Sequence, residues 1–180
     1  MKNKAHAATV CERHRDSNQG ILYISSGLPG AGKSTFLKKY KGKEEVIISR
    51  DEIRFSLLKE GEEYFSHEDE VFNIFVQQIV KNIKAGKNVY ADATHLTPAS
   101  QIKLLAPILL DAAPASIQYI YFNIPLAKCF ERNEQRSGTI SYCPKGVIRR
   151  MSLYADFTPC GYIDKAWEVD INGNVLKVGD

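Results

Sequence analysis

Ile21-Leu22-Tyr23-Ile24-Ser25, followed almost at once by Gly27-Leu28-Pro29-Gly30-Ala31-Gly32-Lys33-Ser34, decides how the rest of the chain is read. The first five residues are a short apolar run ending near glycines, which predicts a buried strand. From Lys33 to about Lys41 the pattern predicts a helix. A strand that feeds a glycine-rich turn opening into a helix makes a pocket for an anion, because backbone N–H groups and a helix N-terminus converge on it. Gly27, Gly30 and Gly32 supply the positive φ angles, or the missing Cβ, that such wrapping requires.

In this pattern Lys33 reaches the β/γ-phosphates of a nucleoside triphosphate and Ser34 offers its hydroxyl to Mg²⁺. Leu28, Pro29, Ala31 and Thr35 complete the expected ATP-binding segment. ATP and Mg²⁺ are therefore the expected cofactors.

Outward from this segment, strands and helices alternate. Val46-Ile47-Ile48-Ser49, Asn88-Val89-Tyr90-Ala91 and Ile117 to Phe122 read as further strands. Arg50 to Leu58, a long stretch after Ser66, a helix capped by Thr97 with Pro98 at its first position, Pro125 to Arg136, and Pro144 to Asp156 read as helices. A fifth strand, at Trp167 to Asp170, enters a hairpin at Asn172-Gly173 that returns through Val175 to Val178. Such alternation implies an α/β fold, a P-loop NTPase three-layer sandwich with a parallel five-stranded sheet, a small helical lid over about 132–150 and a C-terminal hairpin. Ligands bind such sheets at the carboxyl ends of the strands, and the sequence motifs fall just after predicted strands or on the lid.

The 180 residues suit one domain, read as a flexible extension over 1–20 and a kinase domain over 21–180. With 44% hydrophobic and 25% charged residues the composition is that of a globular protein. No apolar run is long enough to cross a membrane, and the polar N-terminus has no secretory pattern. Cys11, Cys129, Cys143 and Cys160 are far apart, which favours free thiols in a cytoplasmic protein over a disulfide framework or a zinc site. A net charge of +3 does not by itself identify a polyanionic partner.

On the acceptor side, Ser49-Arg50-Asp51-Glu52-Ile53-Arg54 follows the second strand. Asp51 and Arg54, three apart on a helix, share a face. A kinase needs a carboxylate to orient the attacking hydroxyl and a cation for phosphate charge. The plainer reading is that Asp51 favours the helix dipole and pairs with Arg54. After the third strand, Asp92 either holds a water on Mg²⁺, a role also open to Asp51, fixes an arginine, or caps a loop. Thr94 belongs to the same expected acceptor site, and His95 reads as a loop residue. Arg132 and Arg136, four apart on the predicted helix 127–136, project from one face, either closing on a triphosphate or lying in solvent beside Glu131 and Glu134.

GLPGAGKST, SRDEIR, and RNEQRSG followed by CPKGVIRRM together resemble the kinase domain of phage polynucleotide kinase and its RNA-repair relatives. The resemblance runs from about Ile21 to Tyr154. It implies an adenylate-kinase-like sheet, Asp51 as general base on a 5′-hydroxyl, Arg54 gripping the acceptor's phosphate, and Arg136, with Arg132 as a weaker partner, on the ATP phosphates. The expected activity is ATP-dependent phosphorylation of a 5′-hydroxyl end of DNA or RNA. A kinase for a nucleoside, sugar or antibiotic would keep every residue role except the acceptor, and a nucleotide-binding ATPase or switch module is the reading from another class. The sequence leaves oligomeric state open.

Overall fold

The computed structural model describes residues 15–178. Its elements run β1 (Leu22–Ser26), α1 (Lys33–Tyr40), β2 (Val46–Ser49), α2 (Arg50–Leu57), α3 (Glu68–Lys84), β3 (Val89–Asp92), α4 (Pro98–Asp111), β4 (Ile117–Phe122), α5 (Leu126–Glu134), α6 (Lys145–Tyr154), β5 (Lys165–Val169) and β6 (Val175–Val178). The sheet order is β2-β3-β1-β4-β5-β6. Strands β1 to β5 are parallel, and β6 is the antiparallel return of the hairpin, making the sixth strand beside the five expected.

Period-two alternation sorts the strand residues into two cores. Leu22, Ile24, Val89, Ala91, Ile117 and Tyr119 face α3 and α4, packing on Val71, Phe75, Ile79, Leu104 and Ile108. Ile120 and Phe122 point the other way, into a second cluster with Leu28, Cys129 of α5 and Ile148 of α6. Tyr23 and Tyr90 border that second cluster and stack at 4.5 Å across neighbouring strands. Helices therefore cover both faces, and crossovers between β2 and β3 and between β1 and β2 leave the strand ends of β1 and β3 open to the site.

Two expectations are corrected. Residues 1–14 of the predicted extension lie outside the described residues, but residues 15–20 belong to the domain. Asp16 N–H donates to the Ala113 carbonyl at 3.1 Å and Gly20 N–H to the Ile83 carbonyl at 3.0 Å, so this backbone is satisfied by the fold it leads into. The second concerns the predicted helix 125–136. It ends at Glu134, so Arg132 and Arg136 do not share one continuous helical face. The cause is Asn133, fully buried, whose side-chain amide exchanges two hydrogen bonds with the Cys143 backbone (2.7 and 3.1 Å). That exchange pinches the chain into a loop that brings Arg136 to the cavity.

Candidate active site

Helix α1 starts at Lys33 from Gly32 (φ 97), with no side-chain cap and no acidic residue in its first turn. The contrast within the molecule is informative. Helix α2 is capped by Ser49 and opens with Asp51 and Glu52, α3 opens with three acids, and α4 has a Thr97–Ser100 capping box. Helices α5 and α6 also start without a side-chain cap or a first-turn acid, but α1 alone follows a glycine turn at positive φ, so its free N-terminal N–H groups and the turn's backbone together suit an anion. Gly30 (φ 83) is required for a second reason: a Cβ there would lie 2.2 Å from the Cys129 carbonyl oxygen. Helix α5 thus lies directly against the loop, and Arg132 Nη1 braces it by donating to the Ala31 carbonyl at 3.0 Å.

Lys33 Nζ donates to the carbonyls of Gly27 (2.8 Å) and Leu28 (3.1 Å), folded back over its own loop. Enclosure lowers its pKa, opposed by the charges of Asp92 and Asp51 and reinforced by that of Arg136. Lys33, Asp51 and Arg136 therefore act on one space, although they come from α1, α2 and the loop after α5. Arg132 and Arg136 divide their work accordingly: the first holds the loop backbone, the second lines the cavity.

Ser34 Oγ donates to Asp92 Oδ2 at 2.6 Å, and Asp92 is nearly buried at the end of β3. Asp92 also accepts from Ser25 Oγ at 3.4 Å, and no arginine pairs with it among the described residues. Hydroxyl and carboxylate oxygens are the hard donors that Mg²⁺ takes alongside phosphate oxygens and water, so the pair of Ser34 and Asp92 fits the ion. No group of three or more His, Cys, Asp or Glu converges among the described residues, and a nucleotide-borne Mg²⁺ needs only one or two protein oxygens. Thr94 lines the same cavity and its carbonyl accepts from Gly27 N–H at 3.0 Å, tying the β3 exit to the phosphate loop.

Across the cavity, of about 430 Å³, Asp51 is the exposed end of a network. Its Oδ1 accepts from Arg54 Nη1 and from the Tyr64 hydroxyl (3.0 Å). Arg54 is 5% exposed, and its Nε and Nη2 both donate to Glu68 Oε2, at 3.3 and 2.9 Å. Glu68 also pairs with Arg50. Burial and the Asp51 carboxylate together keep the Tyr64 proton in place, pushing its pKa up, so Tyr64 stays a donor. The Asp51–Arg54 pair expected from their spacing is formed, and Arg54 is largely committed to two carboxylates.

Tyr64, Phe65 and Glu68 were missed by sequence reasoning as site residues. The only signal was an adjacent aromatic pair just before a helix, with an acid in that helix's first turn. His95 is a loop residue as expected, and it is buried, at φ 36, with its ring 6.2 Å from that of Phe75 and Nε2 without a partner among the described residues. Burial, with the charges of Arg50 and Lys33, brings its pKa down to about 3. Cys129 and Cys143 are free thiols, the latter lining the cavity.

A parallel sheet ordered 2-3-1-4-5, a glycine loop clasped by α5, and a lysine, serine and aspartate at the strand ends define a nucleotide-binding P-loop protein of the kinase type. The chain belongs to the AAA_33 family: that family's model, an AAA domain, matches residues 22–157. It is 26% identical over 148 residues to a protein of Autographa californica nuclear polyhedrosis virus named as a bifunctional polynucleotide kinase/RNA ligase, an alignment covering 74% of this chain and 20% of the viral one. Its fold matches a chain of the Pnkp1/Rnl/Hen1 RNA repair complex with a TM-score of 0.64 at 22% identity, over 82% of this chain and 50% of that one. A gluconokinase of Sinorhizobium meliloti matches with a TM-score of 0.55 at 16% identity, over 87% and 85% of the two chains. The chain therefore spans a fifth of the viral protein and half of the RNA repair chain. No described helix is long and apolar enough to cross a membrane.

Proposed function

We propose that this protein transfers the γ-phosphate of ATP to a 5′-hydroxyl end of DNA or RNA. The observation that carries the reading is Asp51: an exposed carboxylate, anchored from behind by a nearly buried Arg54, opening into the same cavity as Lys33 and Ser34. Similarity to the viral polynucleotide kinase/RNA ligase and to the RNA repair chain supports a polynucleotide acceptor over a sugar.

The chain's own groups divide the work. Lys33 exchanges the carbonyls of Gly27 and Leu28 for the β/γ-phosphates, which offer it full negative charge in place of two dipoles. The uncapped start of α1 takes the same phosphates. Asp51 accepts the hydroxyl's hydrogen bond, holds its oxygen in line with the γ-phosphorus, and receives the proton as the new P–O bond forms. Arg54 and Tyr64 fix that carboxylate, and Arg136 meets the phosphate charge from the lid side. When bound, Mg²⁺ neutralises phosphate charge beside Ser34 and Asp92.

In a loose phosphoryl-transfer transition state the proton leaves late, so orientation counts for more than basicity. Asp51→Asn should lower turnover about 10³-fold while ATP affinity stays near wild type, since the change removes the base and keeps a hydrogen-bonding side chain for Arg54. Labelled-phosphate transfer to a 5′-hydroxyl oligonucleotide, run beside nucleoside and sugar acceptors, checks both points. Transfer to a sugar with none to the oligonucleotide would favour the small-molecule reading that the gluconokinase fold keeps open.

A further inference from the structure

Phe55, Tyr64 and Phe65 line the wall of the cavity beside Asp51. Phe65 is 63% exposed, more than any other large aromatic on the described surface, and Tyr64 is 39% exposed. These rings touch. Tyr64 and Phe65 meet edge to face at 4.7 Å and 87°, and Phe55 adds a second edge contact to Tyr64 at 6.1 Å. The group is also held in place from below: the Arg54 guanidinium lies 4.6 Å from the Tyr64 ring centre and 5.6 Å from that of Phe65. The Tyr64 hydroxyl is pinned between Asp51 and Arg54.

Leaving a phenyl ring in water forfeits the stabilisation its burial would give. A lone exposed ring carries no message, but a packed set sharing its anchor with the acceptor carboxylate does. The charge that holds Asp51 also holds the rings, so whatever Asp51 orients is presented to a flat apolar surface one side chain away. A sugar is recognised chiefly by polar groups matched to its hydroxyls. A rigid exposed ring instead suits the π-face of a nucleobase, and does so without regard to which base it is.

We propose that Phe65, positioned by Tyr64 and Arg54, is the stacking platform for the base of the nucleotide that carries the accepting 5′-hydroxyl. The proposal rests on the polynucleotide-acceptor reading and adds to it a subsite that places the terminal nucleotide without selecting its sequence. The consequence is a preference for ends that carry a base.

The test measures kcat and KM for two oligonucleotides with identical 5′-hydroxyl termini, one with an ordinary terminal base and one abasic at that position. For the wild type, KM for the abasic end should be about tenfold higher, the scale of one base–aromatic stack, with kcat changed far less. Phe65→Ala should raise KM for the base-bearing end to the abasic value and so abolish the difference, whereas Phe65→Trp should preserve it. Equal KM values for the two ends in the wild type overturn the subsite and leave the acceptor reading standing. Discrimination that persists in Phe65→Ala overturns it too, and so does an equal loss on both ends, because that is what a structural role for Phe65 would produce. If the wild type phosphorylates neither end yet transfers to a nucleoside or sugar, the acceptor reading itself fails and the subsite falls with it.

Discussion

The two walls of the cavity are built by opposite means. The phosphate wall is backbone: the continuous run from Gly27 to Ser34 that joins β1 to α1, shaped by glycines and clasped from outside by α5. The acceptor wall is side chain: Asp51 and Arg54 from α2, Tyr64 from the turn before α3, and Glu68 from α3 itself. A backbone site tolerates little change in conformation and nearly any side chain that fits; a side-chain network tolerates backbone drift and depends on each charge. Substitutions on the two walls should therefore fail differently.

The largest expected effect is on the phosphate wall. Gly30→Ala combines a positive φ with a Cβ 2.2 Å from a backbone oxygen of α5, an atom with no flexible end to move aside. It should cost about 3 kcal/mol, lower Tm by roughly 10 °C and abolish nucleotide binding with it. Gly138→Ala is the control, because φ is again positive (79°) but nothing lies within 4 Å of the added carbon. That variant carries backbone strain alone, about 1 kcal/mol. Thermal melts with and without ATP read both. Equal losses in the two variants would mean that strain alone, without the α5 contact, accounts for Gly30.

On the acceptor wall the next effect is chemical. Glu68→Gln removes the charge that holds the Nε and Nη2 groups of Arg54, while keeping size and an acceptor oxygen. Arg54 then pulls on Asp51 without a counterweight. Turnover should fall about 30-fold, the scale of one charge-assisted hydrogen bond, with ATP affinity near wild type. Steady-state kinetics and nucleotide titration separate the two. A variant that melts earlier but turns over normally would make Glu68 a brace for the fold and nothing more.

The same contrast explains what the sequence disclosed. The phosphate wall was legible because its chemistry is contiguous: glycine spacing, the preceding apolar run and the following helix are all local. The layers followed as well, since short apolar runs such as Ile21–Ser25 alternate with helical stretches. Asp51 and Arg54 could be paired because three residues on a helix is a local distance too. Glu68 and Tyr64 could not be joined to them, because nothing local says that the segment between α2 and α3 folds back over Arg54. The break at Glu134 was hidden for a related reason. Its cause is the Asn133–Cys143 exchange, which joins residues on either side of a loop and is written in no periodic pattern. His95 was read as a loop residue and is one, but its burial against the Phe75 ring of α3 was not legible, because that contact joins segments far apart in sequence.

His95 sits between the two walls and gives the smallest effect, one that either could dominate. Its imidazole is neutral in the folded protein, chiefly because burial disfavours the charged form, with the cations of Arg50 and Lys33 adding to that from the acceptor and phosphate sides. In the unfolded chain it binds a proton below its ordinary value of 6.5. Because the folded pKa is depressed to about 3, the unfolded state gains protons first as pH falls. The stability His95 contributes is therefore complete above pH 6.5 and lost progressively from there down to about pH 3. Between pH 7.5 and 5.5 the wild type should lose about 1 kcal/mol through this residue alone, a loss that His95→Asn, which does not titrate, should lack. Urea denaturation at the two pH values measures the difference between the proteins, so contributions common to both cancel. If ATP is then added, Lys33 turns toward phosphate and its charge on the imidazole is offset, so the pH dependence of the wild type should shrink. Should it stay unchanged with nucleotide bound, burial rather than the charge of Lys33 sets the His95 environment, and the two walls are electrostatically more independent than their shared cavity suggests.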